Sequence, residues 1–391
     1  MRSSMNGKER AKMAFAHQEP DRVPLFELTI DNPTAAHVLG RETLCGFGGM
    51  ARGVRQNEAL ISGNFNEYNQ QRTTDQIELW QALDLDVYPD CMPVPANPLI
   101  PEQISPHSWR FETPNGGWST CQYVPESDTY DQVDSHIRED GLPALESLTE
   151  QLEKSEPNLE DWDFTHAERI LSELGKDRMI LGAADVEIGS TWDWAETFLI
   201  GMVEAPSLIE RYLDARLKHA LVLGEAMLQR GVDGLHGGYD WASGAGPIFS
   251  PRHFRKFVFP RLKQITDLCH RYGGVYVKHT DGNVNALLED MIAAGVDGFQ
   301  AIEPKAGMDI AGIKQQYGDR LTLIGNVDCS TVLVDGPIEA VREATVQVIQ
   351  SAAKGGGFLL STSNSVHPGV KPEYYLAMLE TARNVGRYPI G

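Results

Sequence analysis

A chain of 391 residues, 41% of them hydrophobic and seven of them tryptophan, has enough apolar material for two ordinary domains or one large barrel. Its net charge of −21 excludes the basic face that a nucleic-acid backbone demands, and no run of about 18 apolar residues exists to cross a membrane. The five cysteines (Cys45, Cys91, Cys121, Cys269, Cys329) are scattered without a CxxC pair, which excludes a disulfide framework or a cysteine-rich zinc site and fits the reduced thiols of a cytoplasmic protein.

The opening stretch, MRSSMNGKERAKMAFAHQEPDRVP, is charged and helix-like and lacks the apolar centre of a signal peptide. RVPLFEL (22–28) reads as the first strand, residues 31–84 as a long helical excursion, and LDVYPD (85–90) as the second strand. Residues 91–178 are too long for one helix. Within them SWRFETPNGGWSTCQYV, with Asn115-Gly116 between alternating apolar residues, predicts a β-hairpin. The acidic part, residues 126–163, has thirteen Asp/Glu against two Lys/Arg and predicts a solvated helical stretch without a function of its own. RMILGAAD (178–185), VDGLHGGYD (232–240), GVYVKHTDG (274–282), VDGFQAIEP (296–304), RLTLIGNVD (320–328) and GFLLSTSNSVH (357–367) complete the strands. Helical patterns lie between them at 283–295, 309–319 and 337–356. Strands alternating with helices predict an α/β protein with a parallel sheet. Eight of them predict a (β/α)8 TIM barrel, one domain over residues 1–391 with a β-hairpin and helical insertion at about 91–178, after strand two.

In such barrels the chemistry lies at the C-terminal strand ends. Here those ends carry Glu27, Asp90, Asp185 with Glu187, Asp240, His279 with Asp281, Glu303, Asp328 and, past strand eight, His367. A strand-end Asp also caps the next helix, yet a ring of carboxylates with two histidines and few cations reads as a polar functional mouth. Trp192, Trp194, Tyr239 and Trp241 crowd the loops after strands three and four. Packing over the rim is the plainer reading of these aromatics; beside unpaired carboxylates they also suit a cationic ligand such as a methylated amine. SGAGP (243–247) reads as a Gly turn, and KGGGF (354–358) precedes strand eight and so belongs to the barrel's bottom. Cys91 and Cys329 read as small buried residues. No Walker, GxSxG or HExxH motif is present.

ERAKMAFAHQEPDRVPL, FSPRHFRKFVFPRLKQI, IGNVD and SNSVHPGVKPEYYLAMLETARNVGRYP resemble segments of the uroporphyrinogen decarboxylase superfamily, nearest its corrinoid- and folate-linked methyltransferase branch. The resemblance covers almost the whole chain. By resemblance, Asp90 matches the decarboxylase's strand-two aspartate and His367 its C-terminal active-site histidine. The decarboxylase's arginine-bearing Gln-Ala-Gly-Arg segment is replaced by LFELTIDNP, and an acidic mouth without that arginine repels a porphyrinogen's carboxylates. The methyltransferase branch implies zinc, held by a His-x-Cys after strand five and a second Cys after strand eight. His279 and Asp281 stand at the first two positions and Asn364 near the third, so both sulfur ligands are missing. A carboxylate binds zinc through oxygen, and Glu303 would complete a His-Asp-Glu set for zinc or another divalent metal. Without metal, His279 and Asp281 would hydrogen-bond the substrate or each other.

The expected function is transfer or removal of a one-carbon unit on a small substrate, in the methyl-transfer version to or from a corrinoid or tetrahydrofolate carrier, with a corrinoid protein as a partner. Asp90 and Asp240 would orient the substrate and His367 would act as general acid or base. Glu187, Trp192, Trp194, Tyr239, Trp241 and Asn364 would contact the substrate. The alternative is decarboxylation without a cofactor, Asp90 stabilising developing positive charge and His367 managing the proton. A third reading is a non-catalytic binding protein using the same cavity. A homodimer is what the resemblance implies.

Overall fold

Seven parallel strands form one curled sheet in the computed structural model, which describes residues 5–189 and 192–390. They are Val87–Tyr88, Met179–Ala183, Gly234–Gly237, Val275–His279, Gly298–Gln300, Thr322–Val327 and Phe358–Thr362, paired in chain order. The eighth place belongs to the segment 22–28. On one side Phe26 N–H donates to Leu360 O and Leu360 N–H to Pro24 O, both at 2.9 Å; on the other Asp86 N–H donates to Leu25 O at 2.9 Å. Pro24 has no N–H to give, so this edge is reduced to bridges instead of a full ladder. The (β/α)8 barrel is thereby closed, with its eight strands at the eight places the sequence indicates.

Side chains alternate along each strand, and the registers fix which of them face inward. Val87, Met179, Leu181, Val277, Ile324 and Leu359 are 1% exposed or less and plug the interior. Two residues beyond Gly234, Val277, Gly298, Ile324 and Leu359, the same face presents His236, His279, Gln300, Asn326 and Ser361. The barrel is therefore an apolar plug under a polar floor at the strands' C-terminal ends. Helices Pro206–Gln229, Phe259–Arg271, Ile310–Tyr317, Ile338–Ala352 and Pro372–Val385 wrap it, three of them starting with Pro in the first turn, where its missing N–H costs nothing. Among the described residues no helix is long and apolar enough to cross a membrane.

The insertion is larger than the hairpin expected from Asn115-Gly116. That turn is present, with Gly116 at φ 84°, but it joins the middle strands of a four-stranded antiparallel sheet: Glu102–Ser105, Ser108–Glu112, Trp118–Val124 and Thr129–Ser135. The first outer strand is exposed on both faces and the last is only partly buried, so they lack the apolar alternation that betrays a half-buried strand. Helices His136–Asp140 and Leu142–Lys154 follow in the acidic stretch, and Thr165–Leu174 returns the chain to the barrel.

Candidate active site

A cavity of about 1040 Å³ opens over the polar floor. Asp90, Asp185, Glu187, Trp192, Tyr239, Asp240, His279, Asp281 and Asn364 all line it. It continues outward between the helix Pro206–Gln229, through Arg216, His219 and Leu223, and the insertion, through Leu152, Leu159 and Trp162.

The fifth strand end, KHTDG (278–282), forms the centre. The His279 ring Nδ1 contacts Gln300 Oε1, an atom that only accepts, so Nδ1 carries the proton. In the neutral ring the Nε2 lone pair then faces Asp240 Oδ1 at 3.7 Å and Asp281 Oδ1 at 3.8 Å, too far for an N–H···O bond. Asp281 Oδ1 is buried and has no hydrogen-bond partner, while its Oδ2 accepts from Asn364 Nδ2 at 2.5 Å. Asp240 Oδ1 also accepts from Asp281 N–H at 2.8 Å. Burial, reinforced by Asp240 and Glu303 against the pull of His279, pushes the Asp281 carboxyl above the ordinary range. The three ligand atoms lie within 4.8 Å of one another, close enough to share one cation. The donor set of one imidazole and two carboxylates fits a divalent metal, and the Gln300 contact is the kind of outer hydrogen bond that orients a ligating histidine.

Asp240 thus takes the third place that the sequence reading assigned to Glu303. Glu303 Oε2 accepts from Gly282 N–H at 3.0 Å and stands outside the cluster, bracing the loop that bears Asp281. His367 is also corrected. Its Nε2 donates to Cys329 O at 3.0 Å and its Nδ1 accepts from Gly369 N–H at 3.1 Å, so both ring nitrogens serve the backbone and the ring does not line the cavity. Trp194 packs edge-on to Phe198 and Tyr212, and Trp241 lies under the Lys278 ammonium, 4.1 Å from its ring centre. Both indoles belong to the core, leaving Trp192 and Tyr239 at the cavity.

The ring of carboxylates has more cations than its sequence suggested. Lys278, fully buried, donates to Asp185 Oδ2 at 2.5 Å and to Tyr239 O at 2.7 Å. Arg216 pairs with Glu187, and Arg72 stands 3.9 Å from Asp90, whose carboxyl burial raises. Asp328 is a turn cap, accepting from the Ser330 and Thr331 N–H groups. Cys91 and Cys329 are buried thiols pushed up by burial, Cys329 to about 11. Sequence reasoning missed His236, Lys278, Gln300 and Arg216. A lysine inside the apolar run VYVKH was a legible signal of a buried partner; Arg216, on an ordinary helix, gave none.

The sequence pattern that defines the uroporphyrinogen decarboxylase (URO-D) family matches residues 183–385, more than half of the chain. The chain belongs to the uroporphyrinogen decarboxylase family. Over 202 residues it is 30% identical to a protein named methylcobamide:CoM methyltransferase MtaA from Methanosarcina barkeri, covering 51% of this chain and 56% of that one. Over 206 residues it is 26% identical to a uroporphyrinogen decarboxylase from Thioalkalivibrio sulfidiphilus, covering 51% and 55%. The chain thus spans about half the length of the curated relatives it matches. A solved structure described as a methyltransferase from Methanosarcina mazei superposes with a TM-score of 0.68 over 97% of this chain and 99% of that one, at 20% identity, which shows the shared fold. Both enzymatic branches of the URO-D family are therefore represented among its relatives.

Proposed function

We propose that this URO-D family member transfers a methyl group between a small substrate and a corrinoid carrier, at a metal-assisted site held by Asp240, His279 and Asp281. The convergence of His279 Nε2 with two carboxylates, one of them with an orphaned buried oxygen, is the observation that carries this reading. The methylcobamide in the name of the Methanosarcina barkeri relative favours a corrinoid over a folate carrier. A bound divalent ion supplies Lewis-acid stabilisation of the substrate heteroatom that gains or loses the methyl group. Gln300 fixes the His279 ring with Nε2 toward the cavity, and Asn364 fixes one oxygen of Asp281 so that the other faces inward. Asp90 also lines the cavity and would orient the substrate.

Elemental analysis of the purified protein beside a His279→Ala variant tests the reading. About one divalent ion per chain is expected in the wild type and none in the variant. If neither protein holds metal, even after reconstitution with zinc, the metal-assisted reading fails. Cofactor-free decarboxylation then leads, favoured by the Asp90 carboxyl at the cavity wall, placed where it can meet positive charge on a substrate nitrogen.

A further inference from the structure

Two of the strand-end carboxylates are already engaged within the protein. Asp185 is neutralised by Lys278, Glu187 by Arg216, and the open face of Trp241 by the Lys278 ammonium. Among the described residues a quaternary ammonium therefore meets no vacant aromatic cage in these loops. An anion meets Asp240 and Asp281, while Arg52 lies exposed at the rim over Phe47. Among the described residues that line the cavity, the buried polar atoms without a hydrogen-bond partner are, apart from the Asp281 oxygen, neutral. His236 lines the floor at 8% exposure, and its Nε2 is buried without a hydrogen-bond partner. Its register partner on the neighbouring strand is Val277, two residues before His279, so both histidines lie on the same inward face of the sheet. The Trp192 indole N–H, in the cavity wall, is likewise buried and unpartnered. Burial, with His279 and Lys278 nearby, pushes the His236 imidazole down to about 3, which keeps the ring uncharged at neutral pH. A buried polar atom without a partner is costly, and a ligand that supplies the partner recovers that cost.

We infer, resting on this cavity being the substrate site, that His236 and Trp192 are substrate-binding residues that hydrogen-bond uncharged oxygen, so that the substrate is a neutral oxygen-bearing molecule. A hydroxyl oxygen both donates and accepts, so it satisfies His236 Nε2 in either tautomer, and it accepts from the Trp192 N–H. A quaternary ammonium does neither.

A matched set of probes tests this: cyclohexanol, cyclohexyltrimethylammonium and cyclohexanecarboxylate, similar in ring and different in charge, titrated into the full chain at pH 7.5 and followed by ligand-observed NMR. The alcohol should bind about fivefold more tightly than either ion. His236→Leu and Trp192→Phe should each weaken the alcohol by about fivefold, the loss of one neutral hydrogen bond, and leave the quaternary ammonium unchanged. If His236→Leu does not fold, Trp192→Phe and the shift of the wild-type His236 ring signals on adding cyclohexanol decide the matter. Tighter binding of either ion, no binding of the alcohol, or alcohol binding indifferent to both substitutions overturns the inference. None of these readouts needs a methyl donor, a carrier or metal. Failure of the methyl-transfer reading would appear separately, as absent metal with alcohol binding intact.

Discussion

His279 depends on a residue that does not touch the cavity's contents. Gln300 holds its Nδ1–H, and so decides which nitrogen faces Asp240 and Asp281. Gln300→Leu removes that acceptor at similar volume; metal affinity should fall about 10–100-fold, as for other outer partners of ligating histidines. Competition with a zinc chelator measures it, and an unchanged affinity would mean that Gln300 only packs. A second residue, Glu27, makes a prediction in pH. It is fully buried, accepts from Thr362 Oγ1 at 2.6 Å and Ser361 Oγ at 3.2 Å, and burial raises its carboxyl from 4.5 to about 7. The folded state therefore holds a proton that the unfolded chain releases between pH 4.5 and about 7, so stability falls as pH rises through that window. The loss is on the order of 3 kcal/mol and is complete above pH 7. Glu27→Gln mimics the protonated acid, so its stability relative to the wild type should climb from pH 5 to pH 8 in urea titrations; a constant difference would show that Glu27 does not titrate there. The titratable members of this site were legible because carboxylates and histidines at strand ends are conspicuous. Which of them meet was not, since strand stagger and loop path decide that Asp240, not Glu303, reaches His279.

At the scale of elements, the insertion is coupled to the cavity rim through a close approach. The segment Met50–Arg55, a wide π-type turn, lies against the outer strand of the insertion sheet, and a Cβ on Gly53 would stand 2.2 Å from the Tyr130 ring. Gly53 has ordinary helical space for φ, so its constraint is purely one of room. In an open helix Gly→Ala stabilises by about 1 kcal/mol. Here Gly53→Ala should destabilise instead, by about 1–3 kcal/mol, because the ring or the turn must move. The same displacement would shift Arg52 and Phe47, which line the cavity. Thermal unfolding of the variant gives the sign, and a raised midpoint would show that the two elements are not tightly packed. The eight-strand rhythm could be read from sequence because central barrel strands are short apolar runs closed by Gly, Asp or Pro. The insertion sheet could be read only at Asn115-Gly116, where turn chemistry speaks for itself. Strands such as EQIS and TYDQVDS bury too little to carry a pattern.

For the whole molecule the critical join is where the barrel closes, and there a buried charge cluster replaces the missing ladder. Asp86 is 1% exposed. Its carboxylate accepts from Arg10 Nη1 at 2.6 Å, Arg22 Nη1 at 2.8 Å and Leu25 N–H at 2.7 Å, tying the N-terminal helix and the 22–28 segment to the start of the Val87–Tyr88 strand. Its main chain adds bonds to Leu25 O and from Met179 N–H. Removing one member of such a cluster strands the others in low dielectric, at a cost of about 3–5 kcal/mol. Asp86→Ala should therefore lose that much in urea unfolding. Asp267→Ala, which breaks the exposed Lys263 pair, should lose at most about 0.5 kcal/mol. The cause can be separated from lost contacts by replacing all three charges together, as Arg10→Met, Arg22→Met and Asp86→Leu. If stranded charge dominates, the triple variant should be more stable than Asp86→Ala, since no buried arginine is left short of its Asp86 contact. If the triple variant is the weaker, the cluster holds the barrel shut through its specific hydrogen bonds to the first strand, and closure depends on geometry more than on charge balance.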